Sequence, residues 1–94
     1  MADLSLFDLT GKKALVTGGA VGIGRGYATA LAMAGADVAI VDVDLKTAEK
    51  TSAAIRAMGR DSLAIRCDVR DKEQVQAMVA QVAERFGRLD IGVN

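Results

Sequence analysis

Apolar residues in this chain gather in short runs, separated by longer stretches where they recur three or four positions apart. The runs are Lys13–Thr17, Asp37–Val43, Ser62–Asp68 and a final Ile91–Asn94. The first three hold Val, Ile and Leu with little polar alternation, the pattern of strands covered on both faces. The stretches between them read as helices. From Ile23 to Ala34 the pattern is rich in alanine (Ala28, Ala30, Ala32, Ala34), which lets a helix lie close against a sheet. Asp44 is placed to N-cap a second helix with Ala48, Ser52 and Ile55 on one face. Asp71 is placed to cap a third, with Gln74 at the capping-box position. There Val75, Met78, Val79, Val82 and Phe86 recur at helical spacing. Gly35, Gly59 and Gly87 fall where these helices should stop, as left-handed C-terminal residues do.

The predicted order is therefore β-α-β-α-β-α-β. Strands separated by helices imply a parallel sheet with right-handed crossovers. The doubly wound order 3-2-1-4 puts two helices on one face and the third on the other. It also leaves Ile91–Asn94 as a short, apolar edge, which natural sheets seldom leave bare. The 94 residues are thus expected to be the N-terminal half of a single domain, incomplete without later strands.

Composition narrows the function classes. Twelve Lys+Arg balance twelve Asp+Glu at a sequence pI of about 6.2, which argues against nucleic acid or an anionic membrane surface as partner. Half the residues are apolar (51%), against disorder, but 94 residues allow only a thin core. Runs such as Val38–Val41 fall far short of the ~20 residues of a membrane span. Met1–Ser5 has neither a positive nor an apolar leader segment, and Cys67 is the single cysteine, so a reducing cytoplasm is expected. Histidine is absent, which excludes His-based zinc sites and triads.

The candidate chemistry sits in Thr17-Gly18-Gly19-Ala20-Val21-Gly22-Ile23-Gly24, directly after the first strand and opening the first helix. Glycines there permit positive φ and remove side chains, so backbone can approach a pyrophosphate at the positive helix end. The competing reading is a tight turn that serves helix–sheet packing alone. A P-loop fails, because Arg25-Gly26 follow Gly24 where Lys and Ser/Thr are needed. An adenosylmethionine loop would place its glycines on alternate residues, though it too would use an acid after the second strand.

That acid is Asp42, at the C-terminal end of the second strand. Its carboxylate suits both ribose hydroxyls and repels a 2′-phosphate, and neighbouring Val43 supplies no positive charge. NAD is the expected cofactor; a solvated strand end is the alternative for Asp42. Asp68 ends the third strand, where its carboxylate either meets an adenine amino group or caps the following turn. Cys67 reads as a small buried hydrophobe.

Thr17-Gly18-x-x-x-Gly22-x-Gly24, Asp42, Cys67-Asp68-Val69 and Leu89-Asp90-Ile91-Gly92-Val93-Asn94 together resemble the short-chain dehydrogenase/reductase family across essentially the whole chain. The resemblance implies a Rossmann-like three-layer α/β sandwich. It implies a nicotinamide cofactor held at Thr17, Gly18, Gly22, Ile23 and Gly24. Asp42 and Val43 would select NAD, Asp68 and Val69 flank the adenine, and Asn94 lie near the adenosine ribose. Gly92 departs from the larger aliphatic residue usual at its position. The implied activity is interconversion of an alcohol and a ketone, and residues Ser5–Lys12 resemble sugar- and polyol-acting members. Family members are commonly homotetramers. Their chemistry needs a Ser and a Tyr-x-x-x-Lys; here Leu31 stands four residues after Tyr27, the only tyrosine. No catalytic residue is therefore assigned within the chain, which alone is expected to be inactive. The alternative is a non-catalytic dinucleotide-binding module or a truncated fragment.

Overall fold

A computed structural model describes residues 8–94. Its elements run β1 (Lys13–Thr17), α1 (Gly22–Met33), β2 (Asp37–Asp42), α2 (Leu45–Ala57), β3 (Ser62–Arg66), α3 (Lys72–Phe86) and β4 (Ile91–Val93). The four strands are parallel in the order β3-β2-β1-β4, as the alternation predicts. Register aligns Val16 with Ile40 and with Val93, and Ile40 in turn with Ala64.

The sheet divides the core in two. On one face Val16, Val38 and Ile40 pack with Ala28 and Ala32 of α1 and with Ala48 and Ile55 of α2. On the other, Leu15, Ala39, Val41 and Ile65 meet Met78, Val82 and Phe86 of α3. Strands β1 and β2 are buried from both sides, which explains their nearly unbroken apolar runs. Ile40 and Ile55 are fully buried; each such side chain contributes about 2 kcal/mol.

Several boundaries differ from the sequence reading, each for a local reason. The second and third apolar runs continue to Val43 and Asp68, but β2 stops at Asp42 and β3 at Arg66, because the last bond between them, from the Cys67 N–H to the Asp42 carbonyl, closes the ladder there. Likewise β4 stops at Val93, and α1 starts at Gly22. In α1 only Ala28 and Ala32 are buried, one turn apart, while Ala30 faces outward. In α3 the buried line is Met78, Val82 and Phe86, leaving Val79 45% exposed. Gly35, Gly59 and Gly87 do end their helices at positive φ.

Candidate functional site

The site is built at the C-terminal ends of the strands, around the turn from β1 into α1. Gly18 and Gly22 take φ of +68° and +60°, a conformation that L side chains rarely adopt. Gly24 does different work: a Cβ there would lie 2.0 Å from the Gly18 carbonyl oxygen, so only glycine lets α1 fold back onto the turn. Val21 occupies the N-cap and, having no polar side chain, makes no capping hydrogen bond to the first turn. That turn contains no acidic residue, so its positive end is left open.

Two neighbouring elements fix the middle of the turn. The Ala20 N–H donates to Asp42 Oδ2 at 3.3 Å, and the Ala20 carbonyl accepts from the buried Thr51 hydroxyl of α2 at 2.9 Å. The second oxygen of Asp42 accepts the Asp44 N–H at 3.1 Å. Thus Asp42 is not merely a solvated strand end, because its carboxylate joins the end of β2 to the glycine turn. Sequence reasoning missed Thr51, although its place three residues after Ala48 puts it on the inward face of α2.

A cleft of about 570 Å³ opens beside this turn. The end of β1 contributes Thr17 and Gly18; β2 leads into Asp42 and Val43; the segment after β3 adds Asp68 and Val69; Asn94 closes the side beyond β4. Seven of the ten expected site residues therefore meet on one surface, while Gly22, Ile23 and Gly24 lie outside its lining and form the helix start. The Thr17 hydroxyl is 2.8 Å from Asn94 Oδ1, to which it donates, and so ties β1 to the end of β4. Val43 and Val69 are both more than half exposed at this cleft, although each is apolar. Lys13, by contrast, sits at the opposite end of the sheet, paired with Asp37.

Of the two roles left open by the sequence, the geometry shows Asp68 in the second, capping the following turn. It lines the cleft, and it also orders the turn that follows: Oδ1 accepts the N–H of Arg70 at 3.0 Å. The Arg70 guanidinium grips the same carboxylate with Nε on Oδ1 and Nη2 on Oδ2. These bonds hold the Asp68 carboxyl down at about 2, below the ordinary carboxylate range. Gln74 departs from the simple capping box: Oε1 reaches beyond the N-cap to accept the Asp68 N–H at 2.9 Å, while Nε2 donates to Asp71. Burial, with Asp68 and Asp71 nearby, pushes the Cys67 thiol up, so it is an inert wall of the cleft.

Among the described residues no group of three or more Cys, Asp or Glu is placed to hold a metal ion. No helix there is long and apolar enough to cross a membrane.

Comparison with known proteins agrees with this geometry. A model of the short chain dehydrogenase family matches residues 12–94. The chain is 47% identical over 88 residues to 15-hydroxyprostaglandin dehydrogenase [NAD(+)] of Bos taurus, covering 92% of the chain and 33% of that protein. A short chain dehydrogenase/reductase of Aspergillus oryzae is 48% identical over 89 residues, or 94% of the chain and 34% of the relative. Among solved structures, hydroxysteroid dehydrogenase from Escherichia coli superposes with a TM-score of 0.92 at 32% identity, over 98% of this chain and 39% of that one. The chain spans about a third of the length of the curated relatives it matches. It belongs to the short-chain dehydrogenase/reductase family.

Proposed function

We propose that the chain is the N-terminal, cofactor-holding part of a single-domain oxidoreductase that uses NAD to interconvert an alcohol and a ketone. One observation carries the reading. The only helix among those described that starts without a polar cap opens from the glycine turn, beside a cleft with a carboxylate at the adjoining strand end. An open positive helix end suits a pyrophosphate. Above Gly18 and Gly22 nothing lies within 4 Å of where a Cβ would stand, so backbone is accessible to it.

In this reading Thr17, Gly18, Gly22, Ile23 and Gly24 receive the pyrophosphate and Asn94 adjoins the adenosine ribose. Asp42 accepts from the ribose hydroxyls, with Val43 beside it, while Asp68 and Val69 take the adenine. The nicotinamide, when bound, supplies the hydride chemistry. What these residues do is bind and orient. Asp42 exchanges its long bond to Ala20 for ribose contacts and repels a 2′-phosphate, which selects NAD. The name of the bovine relative supports NAD as well. Proton transfer is assigned to polypeptide outside these 94 residues, because Tyr27 has no lysine four residues on and is 54% exposed on α1.

The narrower sugar or polyol reading rests on residues 5–12, and residues 1–7 lie outside the described part. Relatives named for a hydroxyprostaglandin and a hydroxysteroid favour a less polar secondary alcohol instead. A homotetramer in the cytoplasm completes the proposal.

The test is fluorescence titration of the full natural polypeptide with NADH and NADPH. NADH should bind at least tenfold more tightly, and Asp42→Ala should abolish that preference. No binding at millimolar NADH, or a preference that Asp42→Ala leaves intact, would overturn the assignment.

A further inference from the structure

Arg70 is absent from the residues that the glycine turn and the strand ends bring to mind, yet it lines the same cleft. Its contact with Asp68 is unusually complete. Oδ1 accepts from both the Arg70 N–H and Nε at 3.0 Å, and Oδ2 accepts from Nη2 at 2.9 Å. A carboxylate oxygen offers two lone pairs, so Oδ1 is filled and Oδ2 keeps one. The backbone of Asp68 is fixed independently, through its N–H on Gln74 of α3. The planar two-point grip then sets the plane of the carboxylate.

The surroundings specify what that remaining lone pair meets. Val43 and Val69 stand at 57% and 56% exposure on the cleft, apolar surfaces of the kind that cover a flat ring. The Arg70 side chain is 87% exposed against 27% for Asp68, so the guanidinium lies on the outer side of the carboxylate.

We infer that Arg70 is a positioning residue for the purine: it orients Asp68 so that Oδ2 accepts from a 6-amino group. This rests on the proposed nucleotide reading of the cleft. It predicts discrimination between a 6-aminopurine, whose amino group donates to Oδ2, and a 6-oxopurine, whose 6-oxygen cannot.

The experiment compares dissociation constants of AMP, IMP and nicotinamide mononucleotide for the full natural polypeptide and its Arg70→Ala and Arg70→Lys variants. Arg70 is exposed, so folding should survive. Arg70→Ala should weaken AMP roughly fivefold, the scale of one ordinary net hydrogen bond, and shrink the AMP-over-IMP preference by a similar factor. Nicotinamide mononucleotide should be unaffected. Arg70→Lys, which keeps the charge and loses the fork, should fall between. An unchanged AMP-over-IMP ratio in Arg70→Ala, with AMP still bound, overturns the role of Arg70 alone. Failure of the parent protein to bind AMP or the mononucleotide overturns the nucleotide reading together with it.

Discussion

The three helices among the described residues begin in two different ways. At α2, Asp44 accepts the Thr47 N–H, and at α3, Asp71 accepts from Glu73 and Gln74. At α1 the same position is held by Val21, preceded and followed by glycine-rich backbone. Side-chain capping satisfies orphan N–H groups at the helix start, and two of the helices use it. The third omits a contribution of about 1 kcal/mol. That omission falls at the one helix start that faces the candidate phosphate position, which points to function rather than stability as its cause.

Substitutions can break this contrast. The largest effect is expected at Gly24→Ala, where a Cβ 2.0 Å from the Gly18 oxygen must push the turn off the helix. It should cost on the order of 3 kcal/mol in denaturant unfolding and abolish NADH binding. Gly26→Ala, two residues along the same helix with nothing within 4 Å, should instead stabilise by roughly 0.5–1 kcal/mol. Next comes an exchange of caps. Val21 is already extended at φ −141° and ψ 169°, so Val21→Asp should cap α1 and raise stability by about 1 kcal/mol. The same carboxylate should repel the pyrophosphate and weaken NADH about tenfold, an opposition of about 1.4 kcal/mol. Asp71→Ala should lose a similar stability without adding a charge beside the pyrophosphate.

The smallest effect sharpens the comparison through acid. Hydrogen bonds from the Thr47 hydroxyl and N–H lower the Asp44 carboxyl from its usual value. A carboxyl depressed in the folded state supports folding above its unfolded pKa, about 3.9, and loses that support as pH falls through the lower folded value. As pH falls below about 4 the Thr47 amide resonance should therefore shift with Asp44. The Gly24 amide, in a helix start without a carboxylate cap, should not follow.

Periodicity sufficed for the architecture, because burial on both faces makes β1 and β2 apolar throughout and glycine marks each helix end. Where the reading slipped, the strand had ended while the apolar run went on, as at Val43 and Cys67. Val43 is apolar as an exposed wall of the cleft, whereas Cys67 lines the cleft from within the core beside Val41 and Ile65. Asp42 was legible from its place at a strand end; its bond to Ala20 was not, since it joins residues 22 positions apart across the sheet edge. Arg70 was illegible for another reason. As an isolated cation before a helix cap it reads as solvated, and only the turn at Asp68 folds it back onto the carboxylate.

The tie from Thr17 to Asn94 bears on the time course of folding. Neighbouring β1 and β2 close a loop of 24 residues, whereas β1 and the segment at β4 meet across 77. The longer closure costs about 1 kcal/mol more in chain entropy, and β4 has only three residues with which to offset it. Strands β1 to β3 with their helices should therefore associate first, by successive local pairings. The wall of the cleft that Asn94 provides is then the last part of the site to form, and the first to fray when the chain begins to open.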